Sequence, residues 1–467
     1  MRGINVAVAC VCAASVAIYT ARRRLKARQA CIPVEIPRVG DSFAKKFSRL
    51  AHGRGGNQLK KLIGPFVTVP GVVHLAQGAP PSSVFPIAEV RLKLQSGDEV
   101  VVDDPGQIAA AQQYSVSGHP RLRAWCREWS AKTYAPPMAD QDWDVTLTTG
   151  NTDSIDKLGS LLLDEGDVLL VEEYTYSTTL DGLAPYKPKM VPVEVDRDGL
   201  VPEALERACA GLVAAGTPPK ALYIVPVGSN PLGTVLAPGR YAAIYAIAQR
   251  YDFIVWEDDP YIFLSYDSET GDHPLPATTF ASLDTDGRVA RLDSFAKFLG
   301  PGFRCAWITA PRTLIEKLDI ASGTTTQNGS TFVHVTLHHL LTQWGDAGLR
   351  LHLQSLRQEY QRRRGVLLAA MDEHLTGLAK WTVPRAGMFV WVTLLRGSDD
   401  SADLMPDLLH HKVLIVPGKF FSPCGAGTPS ARISFSSATD DQMQEGIRRL
   451  GKLLKDLPPS YVLMRGG

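Results

Sequence analysis

Between about residue 144 and residue 309 the chain alternates short apolar runs with longer stretches of helical periodicity, and this alternation constrains the fold more than any other feature. Runs too short for helices and bounded by turn residues read as buried strands. The amphipathic stretches between them read as the crossovers that parallel strands need. The predicted strands are Asp144–Thr148, Val168–Glu172, Ala221–Pro226, Phe253–Glu257, Arg288–Asp293 and Cys305–Thr309. Predicted helices include Asp153–Leu163 and Pro238–Tyr251. The expected fold is therefore α/β, a large domain built on a mostly parallel sheet.

Open α/β sheets bind their ligands outside the carboxyl ends of the strands. Here those ends carry Gly150-Asn151-Thr152, Glu173-Tyr174-Thr175-Tyr176, Asn230, Asp258 and the pair Ser294/Lys297. The chemistry-bearing residues thus collect along one edge of one sheet. After about Gly345 the pattern changes. A long helical stretch, Leu349–His374, leads to Trp381-Thr382-Val383-Pro384, Gly387-Met388-Phe389-Val390-Trp391, Val413–Pro417 and the segment around Arg432. This reads as a smaller α+β domain able to close over the cleft. The expected organisation is an N-terminal segment at 1–30, an arm with part of the small domain at 31–105, the large domain at 106–345 and the small C-terminal domain at 346–457.

Composition narrows the function. Formal net charge is +1 with both signs mixed along the body, which argues against nucleic acid as a partner. The seven cysteines are scattered, with no Cys/His cluster at metal spacing in the body, so no metal site is expected and the thiols read as reduced. The N-terminus stands apart. Gly3 to Ala21 is apolar or small, Arg22-Arg23-Arg24, Lys26 and Arg28 follow, and the first acidic residue is Glu35. About 20 apolar residues span a bilayer. Residues 3–21 are thus expected to form a transmembrane anchor, with the following positive charge leaving the body in the cytosol. A mitochondrial presequence is the alternative, because the segment is acid-free and contains arginines.

Four motifs suit one kind of cofactor. In Ser294-Phe295-Ala296-Lys297, followed by Pro301-Gly302-Phe303-Arg304, a lysine amine can bind an aldehyde while a hydroxyl and a guanidinium hold a phosphate. Thr149-Gly150-Asn151-Thr152-Asp153 follows a strand and opens a helix, where free N–H groups attract phosphate; an ordinary helix cap competes equally. Asn230-Pro231-Leu232-Gly233 is either a plain turn or an amide aimed at the phenolate oxygen of a pyridine ring. Glu257-Asp258-Asp259-Pro260-Tyr261 ends a strand; a carboxylate there can keep a pyridine nitrogen protonated, or simply face solvent. Tyr176 can stack on such a ring or be an ordinary core tyrosine. Arg432 can pair with a substrate carboxylate or form a surface ion pair.

Together with Leu75-Ala76-Gln77-Gly78, Gln113-Tyr114-Ser115, Gly387-Met388-Phe389-Val390-Trp391 and Arg432-Ile433-Ser434-Phe435-Ser436-Ser437, these motifs resemble the fold-type I, class I/II pyridoxal-phosphate aminotransferases. The similarity runs from about residue 70 to 455, within the branch of kynurenine/α-aminoadipate and aromatic aminotransferases. It implies pyridoxal 5'-phosphate as cofactor, Lys297 as its covalent anchor and proton shuttle, and Asp258 on the pyridine nitrogen. It implies Asn230 and Tyr261 on the phenolate oxygen, Tyr176 on the ring, and Asn151, Thr152, Ser294 and Arg304 on the phosphate. Arg432 would hold the substrate α-carboxylate with Gly78 near it. Tyr114 would reach the neighbouring subunit's cofactor, making a homodimer with shared sites. The chain departs from the pattern at Leu232, where threonine is usual, and at Ala296, where a second hydroxyl is frequent. The implied reaction moves the amino group of an aromatic, kynurenine-like or 2-aminoadipate-like amino acid to a 2-oxo acid such as 2-oxoglutarate. A β-lyase acting on cysteine conjugates would use the same lysine and ring. A DNA-binding sensor is disfavoured, because the region before the body is too short for a helix-turn-helix module.

Overall fold

The computed structural model describes residues 43–458, apart from positions 44, 57, 59–61, 63, 67–68, 74, 76–77, 116 and 267–277. All six predicted runs become strands of one seven-stranded sheet. In chain order these are β1 (Trp143–Thr148), β2 (Val168–Glu172), β3 (Lys189–Val193), β4 (Pro219–Ile224), β5 (Ile254–Asp258), β6 (Val289–Ser294) and β7 (Ala306–Pro311). Their spatial order is β1-β7-β6-β5-β4-β2-β3. The run from β6 to β3 is parallel throughout. Only β7 is antiparallel, to β6 on one side and β1 on the other. The cause is its connection. Residues 295–305 hold two single-turn helices, too little for the crossover a parallel return requires. The chain therefore turns back at the ligand-binding edge, and Lys297 and Arg304 lie in that turn.

Sequence reading missed β3. It is an edge strand, mostly half-exposed and carrying Pro192, so it has neither a long apolar run nor a full set of backbone donors. The inner strands show why they were legible. On β4, Ala221 and Tyr223 face one core while Leu222 and Ile224 face the other, so helices cover both sides and the run is continuously apolar. Helix α1 (Asn151–Leu162) buries Ile155, Leu158 and Leu161 on the first face. Further on lie α2 (Ser177–Leu183) and α3 (Pro238–Arg250).

The helix expected at Leu349–His374 belongs to a longer element, α4 (Thr331–Leu375), broken at Gly345, whose φ of 56° and ψ of −169° are not helical. A four-stranded antiparallel sheet follows: β8 (Ala379–Trp381), β9 (Phe389–Leu394), β10 (Val416–Pro417) and β11 (Ser430–Ser434), in the order β8-β9-β11-β10. Leu367 and Met371 of α4, and Ile447, Leu450 and Leu454 of the terminal helix α5 (Asp440–Asp456), pack on it. The same apolar cluster runs on to Leu169, Trp256 and Ile308 of the large sheet. The loop after β4 meets the turn before β9 at Gly228 and Gly387, both at positive φ; a Cβ on Gly228 would lie 2.7 Å from the Gly387 nitrogen. Only glycine permits that approach, and it brings β9 up to the Asn230 turn.

The transmembrane helix expected at residues 3–21 falls outside the described residues. Among the described residues no helix is long and apolar enough to cross a membrane.

Candidate active site

The carboxyl ends of β1, β2, β4, β5 and β6 surround a cavity of about 150 Å³. Asn151, Thr152, Tyr176, Asn230, Asp258, Tyr261, Ser294, Lys297 and Arg304 all line it. Nine sequence candidates thus meet in one place. Arg432 joins them from β11, its Nη1 donating to Asn230 Oδ1 at 2.7 Å. Gly78 and Tyr114 are not among the lining residues; both are exposed, and Tyr114 borders a separate groove with Thr325–Asn328.

At one end of the cavity the structure builds an anion cradle. Gly150 opens α1 and has no side chain to cap it, so the helix's first N–H groups lack a side-chain partner at their cap. The Arg304 guanidinium crowds the same point: a Cβ on Gly150 would sit 2.6 Å from its Nη2, and Gly150 has φ +125°. Ser294 Oγ accepts the N–H of Ala296 at 3.1 Å, which shapes the turn that carries Lys297.

Asp258 forms the floor. Of three successive acids, Glu257, Asp258 and Asp259, only Asp258 lines the cavity. The other two turn into the core, where Arg291 Nη1 lies 3.0 Å from Glu257 and Nη2 lies 3.1 Å from Asp259. Asn151 Nδ2 donates to Asp258 Oδ1 at 2.6 Å and Tyr223 Oη donates to Oδ2 at 2.6 Å. The Asn151 amide, expected on a phosphate, is therefore placed against this carboxylate. Burial pushes the Asp258 carboxyl up to about 6, against the Tyr223 and Asn151 hydrogen bonds that favour the anion. Burial also lowers the Lys297 ammonium; Asp258 opposes that shift, while Arg432 and Arg304 add to it. A depressed lysine is what imine formation with an aldehyde requires.

At the far end, the Arg432 guanidinium lies over the Phe389 ring at 4.1 Å and the Phe421 ring at 5.0 Å from their centroids. Its buried Nε has no hydrogen-bond partner. An unsatisfied guanidinium edge in a half-buried pocket suits an incoming carboxylate. Sequence reasoning missed Tyr223 and Phe421. Tyr223 looks like any core residue in an apolar strand, and Phe421 belongs to no motif that would single it out. Leu232, the departure in the asparagine turn, is buried.

An anion cradle, a buried carboxylate on the floor, a depressed lysine and a guanidinium with an unpartnered Nε suit one class of enzyme: those that hold a pyridine-ring aldehyde on a lysine. The chain belongs to the aminotransferase class I and II family, which it matches over residues 70–450. It is 34% identical over 398 residues to the mitochondrial kynurenine/alpha-aminoadipate aminotransferase of Bos taurus, covering 82% of this chain and 92% of that one. The Dictyostelium discoideum aromatic amino acid aminotransferase is 31% identical, with 84% of each chain covered. Among solved structures, aminotransferase Aro8 from Candida albicans superposes with a TM-score of 0.80 at 29% identity, over 90% of this chain and 99% of that one. The Pyrococcus horikoshii kynurenine aminotransferase in complex with PMP gives 0.69 at 32% identity, over 74% of this chain and 83% of that one. The protein is an aminotransferase that uses pyridoxal 5'-phosphate, and its substrates are amino acids and 2-oxo acids. The expected transmembrane helix is corrected here: the cattle, mouse and rat relatives carry the word mitochondrial in their names, and no described helix can span a bilayer.

Proposed function

We propose that the enzyme moves the amino group of an aromatic, kynurenine-like or 2-aminoadipate-like amino acid to a 2-oxo acid, with 2-oxoglutarate as acceptor. The observation that carries this reading is the gathering of the Gly150/Arg304 cradle, the Asp258 floor and Lys297 around one cavity, with the Arg432 fork joined to it through Asn230. Pyridoxal phosphate, when bound, supplies an aldehyde for the amine and a ring that takes up electrons. Thr152, Ser294 and Arg304 would hold the phosphate together with the backbone N–H groups that open α1, while the Asn151 side chain stays on Asp258. Tyr176, which lines the cavity, would stack on the ring. Asn230 accepts from Arg432 through its oxygen and its side chain also hydrogen-bonds Tyr261, so the two would meet the phenolate oxygen together. Lys297 would carry the proton from the substrate Cα, and Arg432 would hold the α-carboxylate. The choice of donor class is supported by the names of the relatives.

Two further parts of the reading concern the assembly. Tyr114, 67% exposed, and the exposed apolar side chains Phe66, Val73, Leu75 and Val84 support a homodimer in which Tyr114 reaches the partner's cofactor and Gly78 approaches a substrate. The mammalian relatives' names and the acid-free, arginine-bearing start support mitochondrial import.

The test is an absorption spectrum of the purified holoenzyme before and after each donor is added without acceptor. A visible band that bleaches with kynurenine, 2-aminoadipate or an aromatic amino acid supports the reading and ranks the donors. A band moved by none of them sinks it.

A further inference from the structure

Tyr223 is fully buried on β4, and nothing in the reaction set out above uses it. Its hydroxyl donates to Asp258 Oδ2 at 2.6 Å and accepts from the Thr179 hydroxyl at 3.2 Å. The other oxygen of Asp258 takes the Asn151 amide at 2.6 Å. Each carboxylate oxygen thus receives one neutral donor. Thr179, also buried, lies on α2, and its N–H bonds the carbonyl of Tyr176 at 2.9 Å. A chain of hydrogen bonds therefore ties the helix beginning after Tyr176 to the floor of the cavity.

A buried carboxylate without donors neutralises itself. Burial drives Asp258 toward its protonated form; the Tyr223 hydrogen bond is the largest effect opposing it, ahead of Asn151, while Asp293 works against the anion and Lys297 for it. Tyr223 itself stays protonated, since burial and the neighbouring Asp258 push its phenol well above the usual range. Its only proton goes to Asp258, and Thr179 holds the hydroxyl in the direction that makes this so. A tyrosine kept for its ring alone needs no charged partner.

We propose that Tyr223, backed by Thr179, is a positioning residue that holds the Asp258 carboxylate as an anion aimed at the pyridine nitrogen. This rests on the reading that Asp258 meets that nitrogen. A positive ring nitrogen makes the proton on Lys297 Nζ easier to lose, so weakening its carboxylate partner moves that titration upward.

The experiment compares holoenzymes carrying Tyr223→Phe, Thr179→Val, Thr179→Ser and Asp258→Asn. The readouts are the pH midpoint of the bound cofactor's visible absorbance and the kcat and KM of the half-reaction. In Tyr223→Phe the midpoint should rise by about half a unit or more and kcat fall about tenfold, with KM nearly unchanged, as loss of a hydrogen bond to a charged group implies. Thr179→Val should move the midpoint in the same direction by less, and Thr179→Ser should restore it. A Tyr223→Phe enzyme with the wild-type midpoint and kcat, beside an Asp258→Asn enzyme whose midpoint moves, overturns the proposal alone. An unmoved Asp258→Asn midpoint overturns the reading of Asp258 and the proposal with it. Should Tyr223→Phe fail to fold, an unmoved midpoint in Thr179→Val overturns the proposal.

Discussion

Arg432 shows what a single residue owes to its surroundings. Its guanidinium is held by Asn230 on one nitrogen and by Phe389 and Phe421 on its faces. A lysine keeps the charge but has no planar fork to stack or to meet a carboxylate with two bonds. Arg432→Lys should raise the donor KM about tenfold to a hundredfold while the cofactor stays bound, measured by half-reaction kinetics. Lys297→Ala should abolish the covalent visible band and the half-reaction together, read by absorbance. Gly150 carries a different constraint. A Cβ there would press on Arg304 at a backbone angle that side chains rarely adopt. Gly150→Ala should weaken pyridoxal phosphate binding about tenfold or more, checked by equilibrium dialysis. At this scale Lys297, Asp258 and Asn230 stood out in the chain because each sits at the end of an apolar run. Tyr223 did not, because its role depends on a bond to a strand 35 residues away in sequence.

At the scale of elements, the short turn between β6 and β7 decides the most. It reverses the chain at the ligand edge and so carries both the lysine and the cradle arginine. Sequence periodicity identified β6 and β7 but not their relative direction, since direction depends on the length of the connection rather than on the strands. The start of α4 carries another element-level property. His334 and His338, one turn apart, lie near His119, whose N–H bonds His334 Nδ1 at 3.4 Å. Burial lowers both to about 4. An unfolded histidine takes its proton near pH 6.5, so the fold binds fewer protons below that pH. The stability these residues contribute is present above pH 6.5 and is lost as pH falls toward 4. His334→Gln should flatten the fall in Tm between pH 7 and pH 5 relative to wild type, measured by scanning calorimetry at each pH. The raised Asp259 and Glu172, each near 8, act with the opposite sign. The difference between the two proteins is therefore the informative quantity.

The whole molecule depends on contact between two sheets that are distant in sequence. Gly228 and Gly387 allow it, and Gly387→Ala should cost about 2–3 kcal/mol and lower Tm while also raising the donor KM, because Phe389 and the Asn230 turn would move apart. The exposed side chains of Phe66, Val69, Val72, Val73, Leu75 and Tyr114 predict a dimer in solution, checked by light scattering. Its loss on dilution should take activity with it.

Read alone, the sequence determined the α/β class, the order of the inner strands along the chain and the edge where the chemistry collects. Each of these follows from local periodicity and from the polar residues that end apolar runs. Tertiary structure decided which of the three acids after Trp256 faces the cavity, because alternation at the end of β5 and in the residue after it turns Glu257 and Asp259 toward Arg291 and leaves Asp258 in the site. It also decided that Arg432 reaches Asn230, a contact spanning 202 residues. Such pairings depend on how sheets pack against one another, and no local pattern in a chain encodes that distance.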